Sequence, residues 1–401
     1  MVSKRAPSIR TSILLLTLAL TRSSHARVPK YKPISRSCGV ASPSTELQDS
    51  HRWLQHNEAL DNDLWNASSV QQRHIEHHHH GSHPFGESLS SSNASESDRR
   101  RQALPSPSPL YVVDTYIHIV ADSSSASASS PKYVTDTMIS QQFAYLAHAY
   151  TNASIGYRLL GISRSTNDTW AANGDDAGMK RALRRGTYSS LNIYYQSLLQ
   201  AGANTPGIPA GSTLLGFCSL PAAGVTSGGT TGGGSISGGS TGVGNTTPGT
   251  GTPTPPNSRY ILDGCNVLSG TMPGGNMVGY NLGGTTAHEV GHWNGLLHTF
   301  NGNSCAQDDF GDYVADTPQE MTSTNRCPVY KDSCPSSGVS STTYNGGPGQ
   351  TGANPYGPQG YSGPDPIHNF MDYSDDVCYQ GFTPGQGARM LNIWQIYREG
   401  L

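Results

Sequence analysis

Charge is scarce in this chain. Only 13% of its 401 residues are Asp, Glu, Lys or Arg, where a globular domain carries about 25%. Apolar residues are scarce too, at 34%, with seven Phe and five Trp. One evenly packed globule of this length is thereby excluded, and one ordinary domain embedded in polar sequence is expected instead. Neither sign of charge dominates: the formal net charge is -3, and the one dense basic run is Arg99, Arg100 and Arg101. Nucleic-acid binding and attraction to a membrane surface are not expected from so weak a field. Long apolar runs are missing as well. The stretch from Ile13 to Leu20 is less than half of the roughly 20 residues that span a bilayer, so no membrane anchor is expected.

What is present in quantity is Gly (47) and Pro (26), together with Ser and Thr. The N-terminus has the order of a secretory signal: Lys4, Arg5 and Arg10, then the short apolar run, then Ser24 and Ala26 about a cleavage point expected after Ala26. Residues 1–26 are read as a signal peptide and the product as secreted and extracellular. Five sequons, at Asn66, Asn93, Asn152, Asn167 and Asn245, are candidate glycosylation sites, although a Ser- and Thr-rich chain also makes such triplets by chance. Seven cysteines entering an oxidising compartment point to disulfides. Six of them lie in the second half and Cys38 stands apart, so three bridges and one special thiol are the simplest partition.

Residues 27–104 are polar and irregular, contain the His-rich stretch His74–His83, and end near the basic run. They read as a low-complexity propeptide, with the histidines a solvated insertion or, less simply, a metal-binding tract. A folded domain is expected over 105–401. Leu110–Val120 is β-branched and aromatic and predicts a buried strand; Thr135–Tyr150 predicts a helix; Tyr157–Ile162 and Leu191–Tyr195 predict strands, with a short basic helix about Gly178–Arg185 between them. This alternation predicts an α/β (α+β) fold with crossover connections. Gly216–Leu220 reads as an edge strand, followed by an insertion over 222–257 of Gly, Ser, Thr and Pro that builds no core. The stretch Tyr260–Cys265 returns beside it, which makes a Cys218–Cys265 bridge at the base of the insertion reasonable. A last helix is predicted over Gly387–Glu399, after another Gly-rich stretch.

The chemistry is concentrated in Thr285–Phe300, which contains His288-Glu289-Val-Gly-His292 and His298. On a helix His288 and His292 share one face and can converge on one Zn²⁺, while Glu289 lies beside that face and is available to deprotonate a zinc-bound water. Gly295 tolerates the positive φ that turns the chain so that His298 returns as third ligand, leaving a fourth position open.

His288 to His298 resembles the extended zinc signature of the metzincin metallopeptidases. Asn369-Phe370-Met371-Asp372-Tyr373 resembles the family's Met-turn, and the flanking Gly-Gly-Thr-Thr-Ala-His and His-Thr-Phe are most similar to the pappalysin (M43) branch and its fungal extracellular metalloproteases. The resemblance spans about Leu110 to the C-terminus. It implies a metzincin-like catalytic domain: a twisted mixed sheet above an active-site helix, and a smaller irregular C-terminal subdomain ending in a helix. It implies an endopeptidase acting on protein or peptide substrates through one Zn²⁺ on His288, His292 and His298, and a monomer is expected. Glu289 is then the general base, Tyr373 the hydrogen-bond donor to the oxyanion, and Met371 the floor beneath the metal.

By the same resemblance Cys305–Cys334 and Cys327–Cys378 are the remaining bridges, although six cysteines alone allow fifteen pairings. Arg36-Ser37-Cys38-Gly39 stands where the family keeps a latency switch, so Cys38 is a candidate to close the fourth zinc position; an unpaired or intermolecular cysteine is the other reading. The carboxylates of Gln307–Thr317 suit Ca²⁺ or a solvated acidic loop equally. Outside the enzyme class, the rival is a non-catalytic secreted zinc-binding glycoprotein associated with wall or matrix.

Overall fold

In the computed structural model, residues 37–55, 109–203, 205–225, 257–306, 309–335 and 363–401 are described. The signal peptide, the His-rich stretch, the basic run, Asn66, Asn93, Asn245 and most of both Gly-rich stretches lie outside them.

Five strands form one mixed sheet: β1 (Tyr111–Ala121), β2 (Ile155–Thr166), β3 (Leu191–Gln196), β4 (Gly216–Cys218) and β5 (Cys265–Leu268), in the order β2-β1-β3-β5-β4. The pairs β1–β2, β1–β3 and β3–β5 are parallel, while β4 runs antiparallel to β5 on the edge. Strand β3 is buried along its whole length, as a central parallel strand covered on both faces must be.

The helices are α1 (residues 45–55), then α2 (Asp136–Ala149), α3 (Asp168–Ala171), α4 (Asp176–Leu183), α5 (Ser258–Ile261), α6 (Gly284–Trp293) and α7 (Pro384–Tyr397). Helix α2 starts at Thr135, whose side chain accepts from Met138 N, and α7 starts with a Thr383–Gln386 capping box and a proline in its first turn. One core is shared by sheet and helices: Ile117, Ile119 and Tyr195 of the sheet meet Val290, Trp293, Met371, Met390 and Trp394. Between α6 and α7 the described residues are turns, with one short 3₁₀ segment at Asp376–Cys378. Disulfides join Cys218 to Cys265, Cys305 to Cys334 and Cys327 to Cys378.

Three local readings of the sequence need correction. The stretch Tyr260–Cys265 does not pair beside Phe217 as a whole. Asn257 accepts from Tyr260 N and starts the helical turn α5, so the strand begins only at Cys265, opposite Cys218. The segment α3 was not anticipated; Asn167 caps it through Trp170 N. The stretch 27–104 is not irregular throughout, because α1 forms and buries Leu47, His51, Leu54 and Gln55.

Candidate active site

Helix α6 lacks a capping side chain next to its first turn; Gly283 precedes it with φ 105. Asp376 does that work from a distance, accepting Leu282 N at 2.9 Å and Gly284 N at 3.1 Å. Tyr150 donates to the Ala287 carbonyl at 2.8 Å, and Trp293 Nε1 donates to Asp263 at 3.1 Å, so the helix is held along its length. It ends at Gly295 (φ 97), where Gly295 N reaches His292 O and Leu296 N reaches Gly291 O, both at 2.9 Å. That pair of bonds is a Schellman motif, which needs a residue at ease with positive φ. The turn reverses the chain and brings His298 back over the helix.

The result is three imidazoles facing one point. His292 Nε2 lies 3.2 Å from His288 Nε2 and 3.1 Å from His298 Nε2. Three nitrogen ligands at tetrahedral corners around Zn²⁺ stand about 3.3 Å apart. The outer nitrogens fix the tautomers of two of them: His288 Nδ1 donates to Phe370 O at 2.7 Å and His292 Nδ1 to Leu296 O at 2.8 Å. Each Nε2 then carries a lone pair aimed at the others, an arrangement that a cation between them satisfies. The donor set therefore fits zinc.

Glu289 is buried and is not one of the converging donors. Above it lies the edge strand: a Cβ on Gly216 would sit 2.6 Å from Glu289 Cγ and 2.7 Å from Oε1. Glycine is required here by closeness of approach.

The outer edge of β4 is covered by residues 37–39, through Leu215 N to Ser37 O at 3.1 Å and Gly39 N to Gly216 O at 2.9 Å. This places Cys38, which is in no disulfide, against the site. Its Sγ donates to Glu289 Oε2 at 3.3 Å, and Cys38 and the three histidines offer ligand atoms all within 4.8 Å of one another. Among the described residues this is the one cluster drawn together in that way.

Met371 is fully buried below α6, where a Cβ on Gly291 would come within 2.4 Å of its Sδ. Tyr373 stands edge-on to His298 with ring centroids 4.9 Å apart. A buried polar network joins these two regions. Glu320 takes Thr299 Oγ1 at 2.7 Å and Lys331 Nζ at 2.8 Å, and Thr324 N donates to Asp372 Oδ1 at 2.8 Å. Thr299 N in turn reaches Met371 O at 3.2 Å.

Burial, with Asp372 close by, pushes the Glu320 carboxyl up to about 8. The folded chain thus favours protonated Glu320, a preference fully expressed below the ordinary carboxylate value and lost as pH rises through about 8. Between about pH 5 and about pH 9 the melting temperature is expected to fall more steeply in the wild type than in Glu320→Gln, which cannot ionise. Thermal denaturation of both across that range is the check, and parallel curves would remove the assignment.

The acidic loop after His298 is engaged internally. Asp312 accepts Val314 N and Thr317 Oγ1, and Asp316 accepts Thr383 Oγ1 at 2.6 Å and Gly385 N at 2.7 Å at the start of α7. Calcium would have to compete with those bonds. Asn152 is exposed, whereas Asn167 is the α3 cap.

Reading by sequence missed Gly216, Asp376, Glu320 and the carbonyls of Phe370 and Leu296. Backbone acceptors leave no trace in residue identity, and a glycine in a strand or an acid in a loop has many commoner reasons to be there.

The family profile described as pregnancy-associated plasma protein-A, peptidase M43, matches residues 247–351. An extracellular metalloprotease of Aspergillus oryzae is 41% identical over 302 residues, covering 72% of this chain and 78% of the relative. One of Aspergillus fumigatus is 42% identical over 303 residues, covering 72% and 77%. Among solved structures, mature mirolysin of Tannerella forsythia in complex with a cleaved peptide is similar with a TM-score of 0.44 at 21% identity, over 71% of this chain and 91% of that one. Among the described residues no helix is long and apolar enough to cross a membrane.

Proposed function

Because the chain belongs to the peptidase M43 (pappalysin) family of extracellular metalloproteases, we propose that it is a secreted endopeptidase in which His288, His292 and His298 hold one Zn²⁺ and Glu289 is the general base. Membership makes it a zinc metallopeptidase acting on protein or peptide substrates, and the non-catalytic glycoprotein reading gives way to that. The observation that carries the site assignment is the convergence of three Nε2 atoms on one point, with a buried carboxylate beside them that is not among the donors.

When bound there, zinc supplies Lewis acidity, lowering the pKa of a water and polarising the scissile carbonyl. The protein's own groups do the rest. Glu289 Oε2 accepts the proton of the attacking water and returns it to the departing amine. Tyr373, beside His298, donates a hydrogen bond to the oxyanion. Phe370 O and Leu296 O hold His288 and His292 in the tautomer that leaves Nε2 available.

In the uncleaved chain Cys38 occupies the space a water and substrate need. Its thiol is within ligand reach of all three histidines and donates to the base itself. We therefore assign residues 27–104 as a latency-conferring leader and Cys38 as its switch, with 105–401 the catalytic domain. Cys38→Ala is expected to raise casein cleavage by the uncut chain at least about tenfold, since a good zinc ligand is exchanged for none. Equal activity of the two uncut chains would reject the switch.

The test of the site is metal analysis with casein cleavage on leader-free enzyme. One zinc per chain, loss of cleavage on chelation and return of cleavage with added zinc are expected. His298→Ala should weaken metal binding by more than the about 10- to 100-fold that losing a mere hydrogen-bond partner of a ligand costs. Undiminished cleavage by metal-stripped protein would overturn the reading.

A further inference from the structure

Helix α1 lies on α7 through a single face. Leu47, His51, Leu54 and Gln55, spaced as one side of a helix, are its buried residues. Leu47 and Leu54 pack with Ile393 and Tyr397 of α7, and the hydroxyls of Ser50 and Tyr397 are 2.8 Å apart. At the centre His51 is fully buried. Its ring stacks on Tyr313 with centroids 5.5 Å apart, and Arg389 Nη1 donates to its Nδ1 at 2.8 Å. Arg389 is itself oriented by a 2.7 Å bond from Nη2 to Tyr313 O.

A guanidinium is always protonated, so His51 can accept this bond only as the neutral imidazole. The imidazolium has no lone pair to offer and would set two buried cations in contact. We propose that this face of α7, with Tyr313, is a docking surface for the leader as a separate chain. After scission between leader and catalytic domain the leader stays bound through α1 and residues 37–39, and it lets go when His51 takes up a proton. The proposal rests on the latency reading above.

Both docking segments are N-terminal to Arg99-Arg100-Arg101, a run that suits a protease cutting at basic sites, so one fragment carries them both. The contacts named above run from residues 37–39 and α1 to β4 and its neighbour Leu215, to Glu289, to Tyr313 and to α7.

The groups that face the imidazole are Arg389 from α7, Tyr313 from the loop after the third histidine, and the Gly295 carbonyl at the end of α6. On its own helix Asp49 and Arg52 pair with each other at the surface. Burial first, then Arg389, holds the His51 pKa well below its ordinary value of 6.5. Docking is therefore at full strength above that value. As pH falls below it the free leader gains a proton that the docked one resists, and affinity drops about tenfold per pH unit.

Metal affinity is itself pH-dependent, so the wild type alone cannot isolate His51. His51→Gln can, because its amide oxygen still accepts from Arg389 and carries no titratable proton. The experiment cuts the full chain at a specific protease site placed over residues 99–101. Leader retention is then followed by gel filtration from about pH 8 to about pH 5, with casein cleavage measured after return to neutrality. The expected result is retention by both chains at the alkaline end and acid release that is at least about tenfold greater for the wild type than for His51→Gln. Release of both in parallel overturns the clasp while leaving latency intact. Loss of the leader from both chains at about pH 8 overturns the docking surface while leaving the latency of the uncut chain intact, which falls only if Cys38→Ala leaves the activity of the uncut chain unchanged. Should His51→Gln fail to fold, amide protection of residues 45–55 in the uncut wild type decides, taken relative to the intrinsic exchange rate at each pH: protection that does not fall on acidification rejects the proposal.

Discussion

Glu289→Gln is expected to bind one zinc per chain like the wild type and to lose roughly 10³-fold or more of kcat, since general-base catalysis contributes about 10²- to 10⁴-fold. Metal binding should survive because Glu289 is not among the converging donors. Packing should survive because the amide has the shape of the carboxylate and fits the same narrow space beneath Gly216. What is lost is basicity: an amide oxygen accepts a hydrogen bond but does not take up a proton near neutral pH. Zinc stoichiometry and single-substrate kinetics on the leader-free variant are the measurements. Cleavage within tenfold of the wild type would show that some other group takes the proton.

Gly216→Ala should reduce kcat by about 10²-fold, the effect of misplacing a reacting group by about 1 Å. The added methyl would lie 2.6 Å from Glu289 Cγ and 2.8 Å from its Cδ, so something must move. The strand is poorly placed to do so. It pairs with β5 over its whole length, and the next two residues lead to Cys218, which is disulfide-bonded to Cys265. The end of the glutamate side chain is the softer partner, and in the proposed mechanism it is the end that takes the proton. Gly202→Ala is the control, because nothing stands within 4 Å of a Cβ there. A Gly216→Ala enzyme with unchanged kcat would mean that the strand yields instead, and that its closeness to Glu289 is not needed for turnover.

How far such features can be read without coordinates depends on whether the interaction is local along the chain. His288, His292 and Gly295 belong to one helix and its C-terminal turn, so their spacing carries the geometry, and His298 follows from the turn. Tyr373 and Met371 reach the site across about 80 residues of sequence, and nothing local marks them; resemblance to a family did. The strands other than β5, and the longer helices of the domain, followed from apolar periodicity, with bounds a few residues off. Helix α1 escaped because its buried face includes His51 and Gln55, residues that hydropathy counts as exposed. Glu320 and Asp376 escaped because an acid in a loop declares its role only through the partners folding brings to it.

The bridge between Cys218 and Cys265 has a practical meaning for the material between them. The two cysteines are separated by 47 residues yet stand opposite one another in the β4–β5 pair, so the insertion over 222–257 begins and ends at a covalent clamp. Doubling the length of such a loop costs only about 0.6 kcal/mol in closure entropy. A single peptide-bond cut inside it leaves the two halves of the molecule joined until the disulfide is reduced. An affinity tag or reporter sequence grafted there would therefore hang from a covalently clamped base without loosening the β4–β5 pair, which makes this the place to label the enzyme.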